Sequence, residues 1–271
     1  MPGSSYNDLT IGGYIPGDSL VHRLDPRAKL VCFLVLVITV FLSSCGTIIG
    51  ACLCASIFLG WMANLGVLMW SWVLKRFAWL LGLAGGLNLF FGDGAKTMTV
   101  YGFTMPISLD AIADALFFTT QLAVGIAFSV ILTATTKPTD LVRGMGKLAN
   151  PLKRLRLPVD EGLTAMLMAL RFAPILQEEL RSILEAQKAR GVDFGAGGLR
   201  TRAKILSSVF GPALVGTLRR GDQIAVAMAA RGFRPGHTRS EFRPLVFLRR
   251  DLFAVIGTAL FAITVTLMEM W

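Results

Sequence analysis

Charged side chains are scarce in this sequence: Asp, Glu, Lys and Arg together make up 16% of 271 residues, whereas 54% are hydrophobic. Soluble domains carry about a quarter of their residues as charges, so an ordinary water-soluble domain is excluded. Histidine is scarcer still, with His22 and His237 alone. The four cysteines, Cys32, Cys45, Cys52 and Cys54, fall in the first two apolar runs with no histidine beside them. No metal-type spacing results, no metal site is assigned, and the thiols are expected to act as small apolar fillers. A phosphate-binding loop is missing as well. Gly144-Met145-Gly146-Lys147-Leu148 has Leu141 where the first glycine of that motif belongs, and no Ser or Thr follows the lysine.

What is abundant is uninterrupted apolar sequence, with a mean hydropathy of +0.63. A helix crossing the roughly 30 Å hydrocarbon layer needs about 20 predominantly apolar residues. Five stretches are read as spans: 28–43, 46–63, 77–91, 109–136 and 252–271. Asp110 and Asp114 interrupt the fourth only in its first turns, where a carboxylate reaches the interface and complements the helix N-terminus. The first run follows a structured-looking segment, 18–29, and has no small-residue cleavage pattern behind it. It is therefore read as a span, not a cleavable signal.

Positive charge is concentrated in one place. Of 27 basic residues, 21 lie between Lys137 and Arg250, against 9 acids in the same stretch. Arg23, Arg27 and Lys29 mark the start of the first span, Lys75 and Arg76 stand before the third, and the loop 92–106 carries only Lys96. The positive-inside rule then predicts a cytoplasmic N-terminus and basic segment, an outward loop 92–106 and an outward C-terminus. The expected fold class is an all-α membrane protein in three parts: 1–136 with four spans, a cytoplasmic helical domain 137–248, and a last span in 249–271. On a membrane protein, a basic face of this kind suits the lipid bilayer's anionic headgroups and acidic protein partners better than nucleic acid.

Within the basic segment, Thr136 is expected to cap a short helix that has Pro138 in its first turn and runs to about Leu148. Asn150-Pro151 breaks it, and a long helix follows over about 161–190. Its first half is almost wholly apolar and its second half amphipathic. Arg171 and Pro174 interrupt the apolar run short of spanning length, which predicts a helix along the inner membrane face, with Arg171 paired to a carboxylate or carbonyl. The helix ends Ala186-Gln187-Lys188-Ala189-Arg190-Gly191, in which Gly191 suits the left-handed position past a helix end. A second helix over 199–230, with a kink expected at Gly211-Pro212, ends Ala227-Met228-Ala229-Ala230-Arg231-Gly232. The two Ala-x-x-Ala-Arg-Gly endings stand 41 residues apart. One copy is good C-terminal chemistry; two copies with alanine at matching offsets point to function. A guanidinium with five rigid donors at a narrow alanine-lined tip suits an acidic groove on a partner.

These endings carry a resemblance to a known family. Together with Tyr14-Ile15-Pro16-Gly17-Asp18-Ser19, the block His22-Arg23-Leu24-Asp25-Pro26-Arg27-Ala28-Lys29, and Ala169-Leu170-Arg171-Phe172-Ala173-Pro174, they make nearly the whole chain similar to the transmembrane T component of energy-coupling factor transporters. The resemblance implies a complex with two ABC-type ATPase subunits and a small membrane S component that binds a vitamin or transition-metal ion. It further implies that Ala189, Arg190, Gly191, Ala230, Arg231 and Gly232 dock the ATPases. The apolar faces with Leu163, Met166, Leu167, Leu170, Ile224 and Met228 would meet the S component or this chain's own spans. No catalytic residue and no cofactor is expected on the chain itself, ATP and Mg being held by the partner ATPases, and the location implied is a prokaryotic plasma membrane.

Two other classes fit the sequence less well. A lipid phosphotransferase would need Asp-x-x-Asp-Gly ahead of its Ala-Arg pair, and alanine stands where that glycine belongs in both copies. A permease of a classical ABC importer has one coupling loop, Glu-Ala-Ala-x-x-x-Gly, matched only in part by Glu185-Ala186-Gln187 and Gly191, and leaves the second ending unexplained.

Overall fold

A computed structural model describes residues 14–91, 98–100, 103–105, 109–155, 157–192, 199–234 and 246–270. Helices dominate: α1 Pro26–Leu42, α2 Gly46–Met62, α3 Val67–Phe91, α4 Leu109–Thr135, α5 Pro138–Leu148, α6 Val159–Ala189, α7 Leu199–Ala230 and α8 Arg249–Met270. One antiparallel hairpin, β1 Met98–Val100 and β2 Phe103–Met105, lies between α3 and α4, with Met98 opposite Met105. A two-strand hairpin this short leaves the class helical. His237 and the loop 193–198 lie outside the described residues, as does most of the loop 92–106.

The chain forms two compact units, one of residues 1–147 with 244–271 and one of residues 148–243. In the first, α4 packs against α1, α2 and α3, and α1 also packs against α8. Its core joins Leu36 and Val40 of α1, Ile48 and Cys52 of α2, Val124, Phe128 and Ile131 of α4, and Val265 of α8. Among the described residues, two helices are long and apolar enough to cross a membrane, over Asp110–Thr135 and Arg249–Met268. The outer faces carry the apolar side chains Leu34, Ile38 and Phe41 on α1 and Phe253, Leu260 and Ile263 on α8, while Lys29, Gln121 and Asp251 are buried. Such an inversion fits a lipid surround. Hydroxyls within the apolar helices turn inward to their own backbone: Thr119 donates to the Ala115 carbonyl, Thr135 to Ile131, and Thr258 to Ala254. That back-bonding removes the cost of carrying an O–H without water.

Helix starts and stops follow local chemistry. Asp25 caps α1, accepting a hydrogen bond from the Arg27 amide at 2.9 Å, with Pro26 in the first helical position. Asn64, at φ +56°, takes the left-handed conformation that turns α2 into α3. Two expectations are corrected. α3 starts at Val67, so Lys75 and Arg76 lie inside a 25-residue helix and not before one. Leu, Met, Lys and Arg all propagate helix well, and no breaker separates residue 67 from residue 77. Thr136 does not cap α5. With Pro138 leading that helix, the Lys137 carbonyl accepts from the amides of Asp140 and Leu141, each at 3.0 Å, and the Thr136 hydroxyl instead serves Lys29. Lys29 is correspondingly no headgroup anchor: it is 7% exposed and directed inward.

In the second unit, a 3₁₀ turn, Asn150–Leu155, follows the Asn150-Pro151 break and is tied to α6 by the Lys153–Asp160 ion pair at 2.7 Å. α6 runs unbroken for 31 residues through Pro174, and α7 for 32 residues through Pro212. Each proline deletes one backbone bond without ending the helix. Arg171 is exposed on α6 and is in none of the ion pairs among the described residues.

Candidate functional site

The two Ala-Arg-Gly endings adopt the same geometry. At the end of α6, Arg190 is the last half-helical residue, Gly191 sits at φ +83°, the Gly191 amide donates to the Lys188 carbonyl at 2.9 Å and the Val192 amide to Gln187 at 3.1 Å. At the end of α7, Gly232 sits at φ +76°, its amide donates to Ala229 at 3.0 Å and the Phe233 amide to Met228 at 3.0 Å. Both are Schellman ends: the left-handed glycine lets two amides fold back on the last turn and satisfy carbonyls that a helix otherwise leaves open. An L side chain at either glycine would strain the backbone, which is why glycine stands there.

Satisfying those carbonyls internally frees the arginines. Ala189, Arg190, Gly191, Ala230, Arg231 and Gly232 are all exposed, as are Ala186 and Ala227 one turn earlier. A Cβ built at Gly191 or Gly232 would touch nothing within 4 Å. Each tip is thus a narrow, small-residue helix end that offers a guanidinium to solvent with no competing carboxylate among the described ion pairs. This is chemistry for binding an acidic surface.

α6 and α7 pack on each other. At their contact the Arg220 Nε lies 3.2 Å from the Glu179 carboxylate. Gly216 makes room for that carboxylate, since a Cβ there would come within 2.8 Å of Glu179 Oε1. Local patterning did not reveal this pair; the one signal available was that residues 179 and 220 are also 41 apart and opposite in charge.

The apolar positions divide differently. Leu163, Met166, Leu167 and Leu170 share one face of α6 at helical spacing, as Ile224 and Met228 do on α7. Met166 is 52% exposed, while the other five are half-buried.

In the first unit, His22 closes a small polar knot ahead of α1. Its Nε2 donates to the Ile15 carbonyl at 3.2 Å and its Nδ1 lies 2.6 Å from the Ser19 hydroxyl, which fixes the neutral tautomer with the proton on Nε2. Burial holds its pKa below the ordinary histidine value, opposed in part by the Ile15 hydrogen bond. Among the described residues no three His, Cys, Asp or Glu side chains cluster as metal ligands would.

Known proteins resemble this sequence over most of its length. Residues 17–244 fit the family CbiQ, described as cobalt transport protein. The energy-coupling factor transporter transmembrane protein EcfT of Limosilactobacillus fermentum is 35% identical over 248 residues, covering 91% of this chain and 92% of its own. The protein of the same name from Bacillus subtilis is 33% identical, covering 94% and 96%, and that from Brevibacillus brevis is 36% identical, covering 93% and 96%. The chain therefore belongs to the CbiQ family, as a membrane component of the energy-coupling factor transporter type.

Proposed function

We infer that the chain is the non-catalytic coupling subunit of an ATP-driven importer in a prokaryotic plasma membrane. Two ABC-type ATPases dock on the tips, one at Ala189, Arg190 and Gly191 and the other at Ala230, Arg231 and Gly232. They hold ATP and Mg, and this chain holds no cofactor. A small S component that carries a vitamin or transition-metal ion meets the apolar faces that include Leu163, Met166, Leu167, Leu170, Ile224 and Met228. α1, α2, α3, α4 and α8 are the five spans. The N-terminus and residues 137–248 face the cytoplasm, and the C-terminus faces outward.

The observation that carries this reading is the pair of like, exposed, arginine-bearing helix ends at equal reach from one contact. Glu179 and Arg220 each stand ten residues before the alanine of their box, which at ~1.5 Å of rise per residue puts both tips about 15 Å beyond the contact. A pair of rigid helices joined at one point and gripped at matched distances can turn relative motion of two ATPases into motion of one body. Transmission of this kind needs contacts that differ between two states.

The test is the double variant Arg190→Ala, Arg231→Ala, purified through a tag on this chain from cells expressing the whole transporter. It should remain membrane-inserted and lose its ATPase subunits. Full retention of the ATPases together with normal ATP-driven uptake would overturn the assignment.

A further inference from the structure

The chain passes from the 1–147/244–271 unit into the 148–243 unit after residue 147 and returns at residue 244. Within the first unit, the end of α4 on the way out and the start of α8 on the way back are each tied to the start of α1 by a buried charge. On the outward side, where α4 gives way to α5, Lys29 Nζ donates to the Thr135 carbonyl at 2.9 Å, the Thr136 hydroxyl at 3.2 Å and the His22 carbonyl at 3.2 Å. All three ammonium protons are used. α5 is also held close to α1, since a Cβ at Gly144 would lie 3.2 Å from Pro26 Cβ and from Leu30 Cδ1. On the return side, Asp251 accepts from the Asp25 amide and from the Leu248 amide, each at 2.8 Å. Lys29 is 7% exposed and Asp251 1%.

Buried charges are poor sources of net stability, because apolar side chains of similar volume would hold as well at lower desolvation cost. What they impose is register. An apolar contact tolerates sliding, whereas shifting the end of α4 or the start of α8 by one bond leaves a buried ammonium or carboxylate unsatisfied. The end of α4 and the start of α8 are therefore both pinned, by charges of opposite sign, within a single helical turn at Asp25–Lys29.

We propose that Lys29 and Asp251 form an anchor that holds the α4–α5 junction and the start of α8 to the start of α1, so that movement arriving along the chain at either end is delivered to the apolar helices and not absorbed as slack. This rests on the coupling role inferred above. Lys29 and Asp251 are positioning residues, and Thr136 supports the first of them.

The experiment uses the complete transporter in proteoliposomes, with MgATP as the probe. Spin labels are placed at Leu34→Cys on α1 and Glu185→Cys on α6, both exposed positions, with the four native cysteines replaced by alanine. Without further change, MgATP should shift the distance distribution between the labels. In Lys29→Met and Asp251→Asn the complexes should keep their ATPases and continue to hydrolyse ATP, while the distribution broadens and the nucleotide-driven shift is lost. Thr136→Val, which leaves every charge in place, should show the same loss in part and decides the matter if the first two variants fail to fold. A full shift in Thr136→Val and in whichever charge variants assemble overturns the anchor. The docking reading is scored separately, by ATPase retention in the Arg190, Arg231 variant, so failure of one is distinguishable from failure of the other.

Discussion

Glu179 and Arg220 form the ion pair at the contact of α6 and α7, at 3.2 Å, and they are separated by the same 41 residues as the two Ala-Arg-Gly boxes. The contact is therefore built from equivalent positions of an internal repeat, with opposite charges placed on the two copies. Like charges there would repel; opposite charges let the repeated helix recognise its own copy.

Breaking this pair should cost little in stability. Arg220 is 42% and Glu179 24% exposed at the side chain, so solvent screens the attraction. A double-mutant cycle with Glu179→Gln and Arg220→Gln, read by thermal unfolding of the detergent-solubilised chain, is expected to give a coupling of about 1 kcal/mol or less. Gly216→Ala should cost little by itself, because the added carbon meets only the far end of the Glu179 side chain, at 2.8 Å, which can swing away; in doing so it displaces the carboxylate from Arg220 and should remove the coupling. A coupling well above about 1 kcal/mol, or one that persists unchanged in the Gly216→Ala background, would contradict this account.

The two tip glycines carry a separate prediction. Placing alanine at φ +83° or +76° strains the backbone by roughly 1–2 kcal/mol at each site, whereas asparagine is tolerated better. Gly191→Ala and Gly232→Ala should speed amide exchange at Val192 and Phe233, whose amides close the two Schellman ends. The Gly→Asn variants should lie between alanine and wild type. Unchanged exchange in the alanine variants would show that these ends do not need the left-handed residue.

His22 supplies a pH dependence with a definite sign. Burial lowers its folded-state pKa below the unfolded value of 6.5, so the unfolded chain binds the proton more readily. The contribution of neutral His22 is full above that unfolded value and is lost as pH falls from about 6.5 toward the lower folded value. A proton on Nδ1 would also convert its contact with the Ser19 hydroxyl from acceptor to donor. Thermal unfolding at pH 7.5 and pH 5.5 should therefore show an acid loss that His22→Gln removes in part. An identical acid loss in wild type and variant would rule the histidine out as its source.

The helix ends were the most legible features. Asp25-Pro26 declares the start of α1, and Ala-Arg-Gly declares the ends of α6 and α7, because capping is settled by a few consecutive residues. α7 runs over Leu199–Ala230, as its pattern predicts. Where the apolar pattern ran into good helix formers without a breaker, as at Lys75-Arg76, the boundary was misplaced, since helix propensity marks no edge there. Which apolar face of α6 or α7 meets lipid, the chain's own spans or a partner is likewise not encoded in periodicity, for all three demand the same side chains.

The sequence by itself determined a helical membrane chain, the concentration of positive charge in one segment, and two matched helix ends. All of these rest on contacts within a turn or on composition. Only the tertiary structure decided where the charges go. Lys29 reaches Thr135 and Thr136 across 106 and 107 residues, and Asp251 holds the Asp25 amide across 226. Glu179 finds Arg220 only once two long helices pack. No local pattern carries such pairings, because each is fixed by the folding of distant segments onto one another and by the requirement that a buried charge find every one of its partners there.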